Sequence, residues 1–276
     1  MGVNDAVQFR GPLALRVLAL WRYRGFVFTM VWREFWGRYL GSLLGSIWSI
    51  INPMAMIFIY TVIFSKIMRA RLPGVDDTMG YGMFLCAGLL TWGFFSELLG
   101  RCPNIFIEQA NMLKKVNFPR ITLPVILLSS SAVNFAIIFT IFISFLLISG
   151  RFPGWAIVAF LPLLLIQQAF ALGLGMVLGT LNVFFRDVGQ FVGIVLQFWF
   201  WLTPIVYPVT ILPERARSVI ELNPMAQLVA AYQQIILHDS WPQWGQFRFH
   251  AIGALAVLTV GFIVFRRLSG EVVDEL

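Results

Sequence analysis

Charge is scarce in this chain. Only 12% of its 276 residues are charged and 59% are hydrophobic, with a mean hydropathy of +0.82, whereas a typical soluble domain is about 25% charged. A water-soluble fold of this length could not cover so much apolar surface. Lipid is then the solvent, where only helices or closed barrels satisfy every backbone N–H and C=O. Barrel strands would alternate in segments of about ten residues, but the apolar runs here reach about twenty or more, so helices are expected.

Other shortages narrow the function. The lysines are Lys66, Lys114 and Lys115, and none follows a glycine, which excludes the phosphate cradle ending in Gly-Lys-Ser/Thr. Cysteine is limited to Cys86 and Cys102 and histidine to His238 and His250. The cysteines fall on one expected helix about 24 Å apart, too far for a disulfide, and no Cys/His cluster has metal-ligand spacing. Ionisable residues are missing from the middle of every apolar run except for Glu97, four residues before Arg101. A pair at the membrane boundary explains Glu97 better than a proton relay. No small-residue cleavage site follows the apolar stretch Leu13 to Trp21 before Arg22 and Arg24, so a cleavable signal is not expected.

What remains is an all-α integral membrane protein, one domain over 1–276. Residues 1–40 carry Arg10, Arg16, Arg22, Arg24, Arg33 and Arg38 among aromatics. Arg22, Thr29 and Arg33 recur at helical intervals, Glu34 and Arg38 stand i,i+4, and Phe28, Val31, Phe35 and Tyr39 make the opposite stripe. That pattern predicts an amphipathic helix along the membrane surface. Six spans follow, at about Leu43–Phe64 (interrupted by Asn52-Pro53), Tyr81–Gly100, Ile121–Ser149, Trp155–Phe185, Val188–Tyr207 and Phe249–Phe265, the last stopping at Arg266-Arg267. Residues 101–120 form a polar interval with room for a short helix. Residues 208–247 hold Asn223-Pro224, an N-cap followed by proline at the first helical position, and then MAQLVAAYQQIIL, expected against the membrane or dipping into it.

The net charge of +7 is explained by its placement rather than by nucleic acid. With six spans the termini share a side. That side holds the six N-terminal arginines, Arg101, Lys114, Lys115, Arg120, Arg186, Arg266 and Arg267, against seven Lys and Arg opposite. The positive-inside rule puts both termini in the cytoplasm. Gly37, Gly41 and Gly45, Gly175 with Gly179, and Gly189 with Gly193 repeat at intervals of four and allow close helix approach, read here as contacts within one subunit. The aromatics near the end of span five, Phe198 to Trp201, fit an interfacial belt, or rings against the C–H faces of a sugar.

Four segments carry a resemblance: YLGSLLGSIWSIINPMAMIFIYTVIFSKI, NMLKKVNFPRITLPV, FFRDVGQFVGIVLQFWFWLTPIVYP and NPMAQLVAAYQQIIL. In order, spacing and topology the sequence resembles the membrane (permease) subunit of ABC-type polysaccharide exporters, which move lipid-linked O-antigen, capsular or teichoic-acid polymers out of the bacterial cytoplasm. The resemblance implies a non-catalytic homodimer in the inner membrane, bound to two copies of a separate ABC ATPase subunit. That partner would bind ATP and Mg, leaving this chain without a cofactor. The implied ATPase contacts are the surface helix, with Arg33, Glu34 and Arg38, and a coupling helix at about Asn104 to Lys115, with Glu108, Gln109, Asn111, Lys114 and Lys115. Residues 208–247 would shape an exit gate. Spans one and five would line the polymer path, with Trp48, Tyr60, Phe64, Phe191, Phe198 and Trp201 as candidates. An ABC permease for drugs or lipids, and a membrane scaffold or ion-gradient carrier using Glu97, are the competing readings.

Overall fold

The computed structural model describes residues 23–37, 45–63, 78–115 and 118–275, and every regular element among them is helical. In chain order these are α1 (Arg24–Gly37), α2 (Trp48–Val62), α3 (Thr78–Arg101), α4 (Ile105–Glu108), α5 (Ala110–Lys115), α6 (Thr122–Ile148), α7 (Phe160–Phe184), α8 (Asp187–Trp201), α9 (Glu214–Glu221), α10 (Pro224–His238) and α11 (Trp244–Glu275).

Four stretches are long and apolar enough to cross a membrane: Met79–Glu108, Thr122–Ile148, Gly154–Phe184 and Trp244–Val272. The first three match expected spans two, three and four at their starts to within about two residues. The first runs on through the tight turn Cys102–Asn104 into α4, because Cys102, Pro103, Ile105 and Phe106 are buried. The expected coupling helix is thereby divided: its first turn belongs to the packed body, and the polar part is α5.

The helices assemble around α3, which contacts α2, α6, α7, α8 and α10. Missing side chains set the closest approaches. A Cβ on Gly173 of α7 would stand 2.5 Å from the backbone nitrogen of Leu258 in α11, so the two backbones cross in direct contact. Gly175 and Gly179 seat the turn after α3, where added Cβ atoms would meet Cys102 Sγ at 2.3 Å and Cys102 O at 2.7 Å. The second of the three glycine series therefore serves contacts within one chain, as does Gly189, whose Cβ would lie 3.2 Å from Asn104 Oδ1. Gly193 meets nothing within 4 Å.

Three expectations need correction. Helix α8 ends at Trp201, six residues before the expected end of span five. Pro204 cannot donate a backbone bond and disfavours the helical conformation at Thr203, and the chain turns inward, burying Thr203, Pro204 and Ile205. At the other extreme, α11 continues eight residues beyond Arg267. Arginine is a good helix former, so a charge pair marks where apolar surface stops without ending the helix. Third, the stripes of α1 differ from those read in the sequence. Its inner face is Phe26, Val27, Met30 and Val31, packed with α6, and Phe28 instead joins Trp32 and Trp36 in an exposed aromatic row at four-residue spacing. Tyr39 and Arg22 lie outside the described residues.

Candidate functional site

The two ends of the molecule carry different chemistry. At one end α3 hands over to α4 and α5. Asn182, buried near the end of α7, fixes this junction: its Nδ2 donates to Pro103 O at 3.0 Å, and its Oδ1 accepts from the Gly189 backbone N–H at 2.7 Å. That second bond caps α8 from seven residues upstream, satisfying a backbone donor that a helix start leaves without a partner.

Beside the junction lies an ionic network. Arg101 donates from Nη1 to Glu97 Oε1 at 3.4 Å, so the expected i,i+4 pair is present. Its Nη2 is ion-paired with Glu34 of α1, whose Oε1 also accepts from Ser130 of α6 at 2.8 Å. Glu97 Oε2 accepts from Asn134 Nδ2 at 2.7 Å. The guanidinium thus joins α3 to α1, and the two carboxylates that it holds tie α6 to both. Glu34 points into the body, a partnership that local spacing with Arg38 could not reveal; Arg38 itself lies outside the described residues.

Of the other candidate contacts at this end, Arg33, Glu108, Asn111, Lys114 and Lys115 are exposed and Gln109 is half-buried. Met112 and Leu113 anchor α5 to the core, leaving the lysines outward.

The candidate path residues divide by helix face. On α8, Phe191, Phe198 and Trp201 are exposed by 63%, 68% and 64%, in one row with Ile194. Trp199, between two of them in sequence, turns inward and meets Trp92 and Phe95 edge-on at 6.3 and 5.3 Å. On α2, Trp48 is exposed and Tyr60 half-buried; Phe64 lies outside the described residues. α2 is held by a narrow stripe, Ser49, Pro53, Ile57 and Thr61, with Ile50, Met54 and Phe58 bare. Both helices pack on α3, so the exposed aromatic faces flank the same span.

At the opposite end α10 is inserted among the spans. The N-cap reading holds: Asn223 Oδ1 accepts from Met225 N at 3.0 Å, with Pro224 next. The same oxygen accepts from Trp199 Nε1 at 2.8 Å, and Nδ2 donates to Leu202 O at 3.1 Å, so one side chain joins the end of α8 to the start of α10. Deeper in, Tyr232 donates to Gln167 Oε1 at 2.8 Å, and Gln167 Nε2 donates to Thr91 O at 2.8 Å. Gln233 Nε2 faces the carbonyls of Pro204 and Ile205. Such polar groups, costly if unpaired in an apolar interior, hold α10 in place. The sequence signal of Asn182, Gln167 and Gln233 is no more than an amide in an apolar or amphipathic run.

An all-helical fold among the described residues, with four stretches long and apolar enough to cross a membrane, defines an integral membrane protein. The family model described as ABC-2 type transporter matches residues 26–237, and the chain belongs to that family. It is 35% identical over 262 residues to the O-antigen export system permease protein RfbA of Myxococcus xanthus, covering 94% of this chain and 98% of that protein. A protein of the same name from Klebsiella pneumoniae is 31% identical, covering 84% and 87% of the two chains. The polysialic acid transport protein KpsM of Escherichia coli is 21% identical over 85% of this chain and 90% of its own.

Proposed function

We propose that this chain is the permease of an ATP-driven exporter that moves a lipid-linked, O-antigen-like polysaccharide across the bacterial inner membrane. It works as a homodimer with two copies of a separate ATPase subunit, which binds ATP and Mg and performs the hydrolysis; this chain is non-catalytic. The observation that carries the reading is the 35% identity to an O-antigen export permease over nearly the whole length of both chains.

In this reading α2 and α8 complete a set of six spans with the four long apolar stretches, and both termini are cytoplasmic. The junction of α3 with α5 receives the partner. Closure of the ATPase dimer pushes α5 and shifts α2 against α8, a rigid-body switch. The bare faces of these helices, with Trp48, Phe191, Phe198 and Trp201, then belong to the polymer path. Rings offer apolar area to sugar C–H faces without fixed charge, so a hydrated polymer slides past without being trapped. The polar heads of residues 208–247 form the outer gate.

Deleting the gene tests this. Lipid-linked glycan is expected to accumulate on the cytoplasmic side while surface polymer disappears. Normal surface polymer in the deletion strain, with no second copy of the gene, rules the assignment out.

A further inference from the structure

Nothing in the apolar pattern of α11 requires the helix to continue past Arg267, yet it runs to Glu275, about 12 Å farther at 1.5 Å per residue. This extension is attached to the body. Phe265 is buried and stacks on Phe106 at 5.5 Å, the two rings 20° apart. Val272, seven residues on and on the same side of the helix, is only 2% exposed, and α11 contacts α5. The last turns of the chain therefore lie at the end where α3 passes into α5.

The outer side is of another kind. Arg267, Glu271 and Glu275 are exposed at four-residue spacing, with Arg266 beside them, and α5 adds Lys114 and Lys115. Among the described residues none of these six side chains takes part in a hydrogen bond or ion pair. A helix selected for an anionic lipid surface carries Lys and Arg on its polar face. An exposed helix face that carries both signs, Arg266 and Arg267 followed by Glu271 and Glu275, fits a protein surface with complementary charges of both signs.

We infer that the extension of α11 and the helix α5 form one composite docking surface for the ATPase subunit, in which Glu271 and Glu275 meet cationic side chains of the partner and Lys114, Lys115 and Arg267 meet carboxylates. This rests on the proposed function, since it takes the ATPase subunit as given. Helix α11 contacts α5, so a push received by α5 is also received by the last span.

The full chain is co-expressed with the ATPase subunit of its transport system, with a photo-crosslinking amino acid at Lys115, Glu271 or Glu275. Irradiated membranes are expected to give a product containing the ATPase subunit from all three positions. Crosslinking from Lys115 but from neither glutamate position overturns the composite surface and leaves the proposed function standing; no crosslinking from any position counts against both. A second variant avoids the probe: E271K/E275K changes only exposed side chains and is expected to reach the membrane at the normal level. It should lower the ATPase subunit retained on purification about tenfold, the effect of roughly 1.4 kcal/mol. Retention equal to the unaltered chain overturns the inference.

Discussion

Helices α3 and α10 on the one hand, and the more apolar α2 and α8 on the other, are held in opposite ways. Leu85, Phe95 and Leu98 of α3 and Met225, Val229, Tyr232 and Ile235 of α10 are fully enclosed. Helix α8 buries a single side chain, Val192, and α2 buries one stripe of four. The first pair, with α7, forms a frame in which Thr91, Gln167 and Tyr232 are matched at fixed distances. The second pair is attached along one edge. Apolarity in this chain therefore does not distinguish interior from surface; the spacing of small residues and amides does.

The largest expected effect comes from overfilling the frame. Gly173→Ala places a methyl against the α11 backbone, which cannot move aside as a side chain would. A cost of at least about 3 kcal/mol is expected, seen as loss of monodisperse protein in detergent. Gly193→Ala on α8, with open space around it, should leave the thermal midpoint unchanged or slightly raised, because alanine favours a helix over glycine by about 0.5–1 kcal/mol. Equal behaviour of the two variants would break the comparison.

At the seam between frame and flank, Asn223→Ala removes a helix cap, the partner of Trp199 and the donor to Leu202 O. About 2–3 kcal/mol is expected, read as a lowered thermal midpoint and faster proteolysis between α8 and α10. Inside the frame, Tyr232→Phe leaves Gln167 Oε1 without its donor while preserving shape. About 1–2 kcal/mol is expected, and a midpoint equal to the unaltered protein would show that the bond is dispensable. The smallest change in stability, within about 0.5 kcal/mol, belongs to Phe198→Ala on the bare face of α8. Its polymer export is nevertheless expected to fall several-fold. Unchanged export would remove this ring from the path.

The expected spans two, three and four coincide closely with helices in the structure because their limits are physical punctuation: Pro119 before α6, the glycines at 150 and 154 with positive φ, and Phe185-Arg186 between α7 and α8. Asn223-Pro224 was legible for the same reason. The ends of α8 and α11 were not. In the former, Pro204 stops the helix within a continuing apolar run and the chain turns inward at Thr203 to Ile205; in the latter, hydropathy reports solvent and the helix follows backbone propensity. At the candidate site, the residue types of α5 and the aromatics of α8 were readable, but not the faces they occupy. The ring at 199 turns inward because its indole N–H has a partner in Asn223, 24 positions away. The partnership of Glu34 with Arg101 spans 67 positions, beyond any rule of local spacing.

Two asparagines give α8 an uncommon mechanical character. Asn182 grips its first turn and Asn223 its last, and both grips reach back into the frame, while most of the helix between them is bare. A rod fastened at its two tips resists sliding along its length, and the wedge of Trp199 and Phe200 against Trp92 sets its rotation about its own axis. Phe191, Phe198 and Trp201 are therefore presented together as one fixed row on the opposite side.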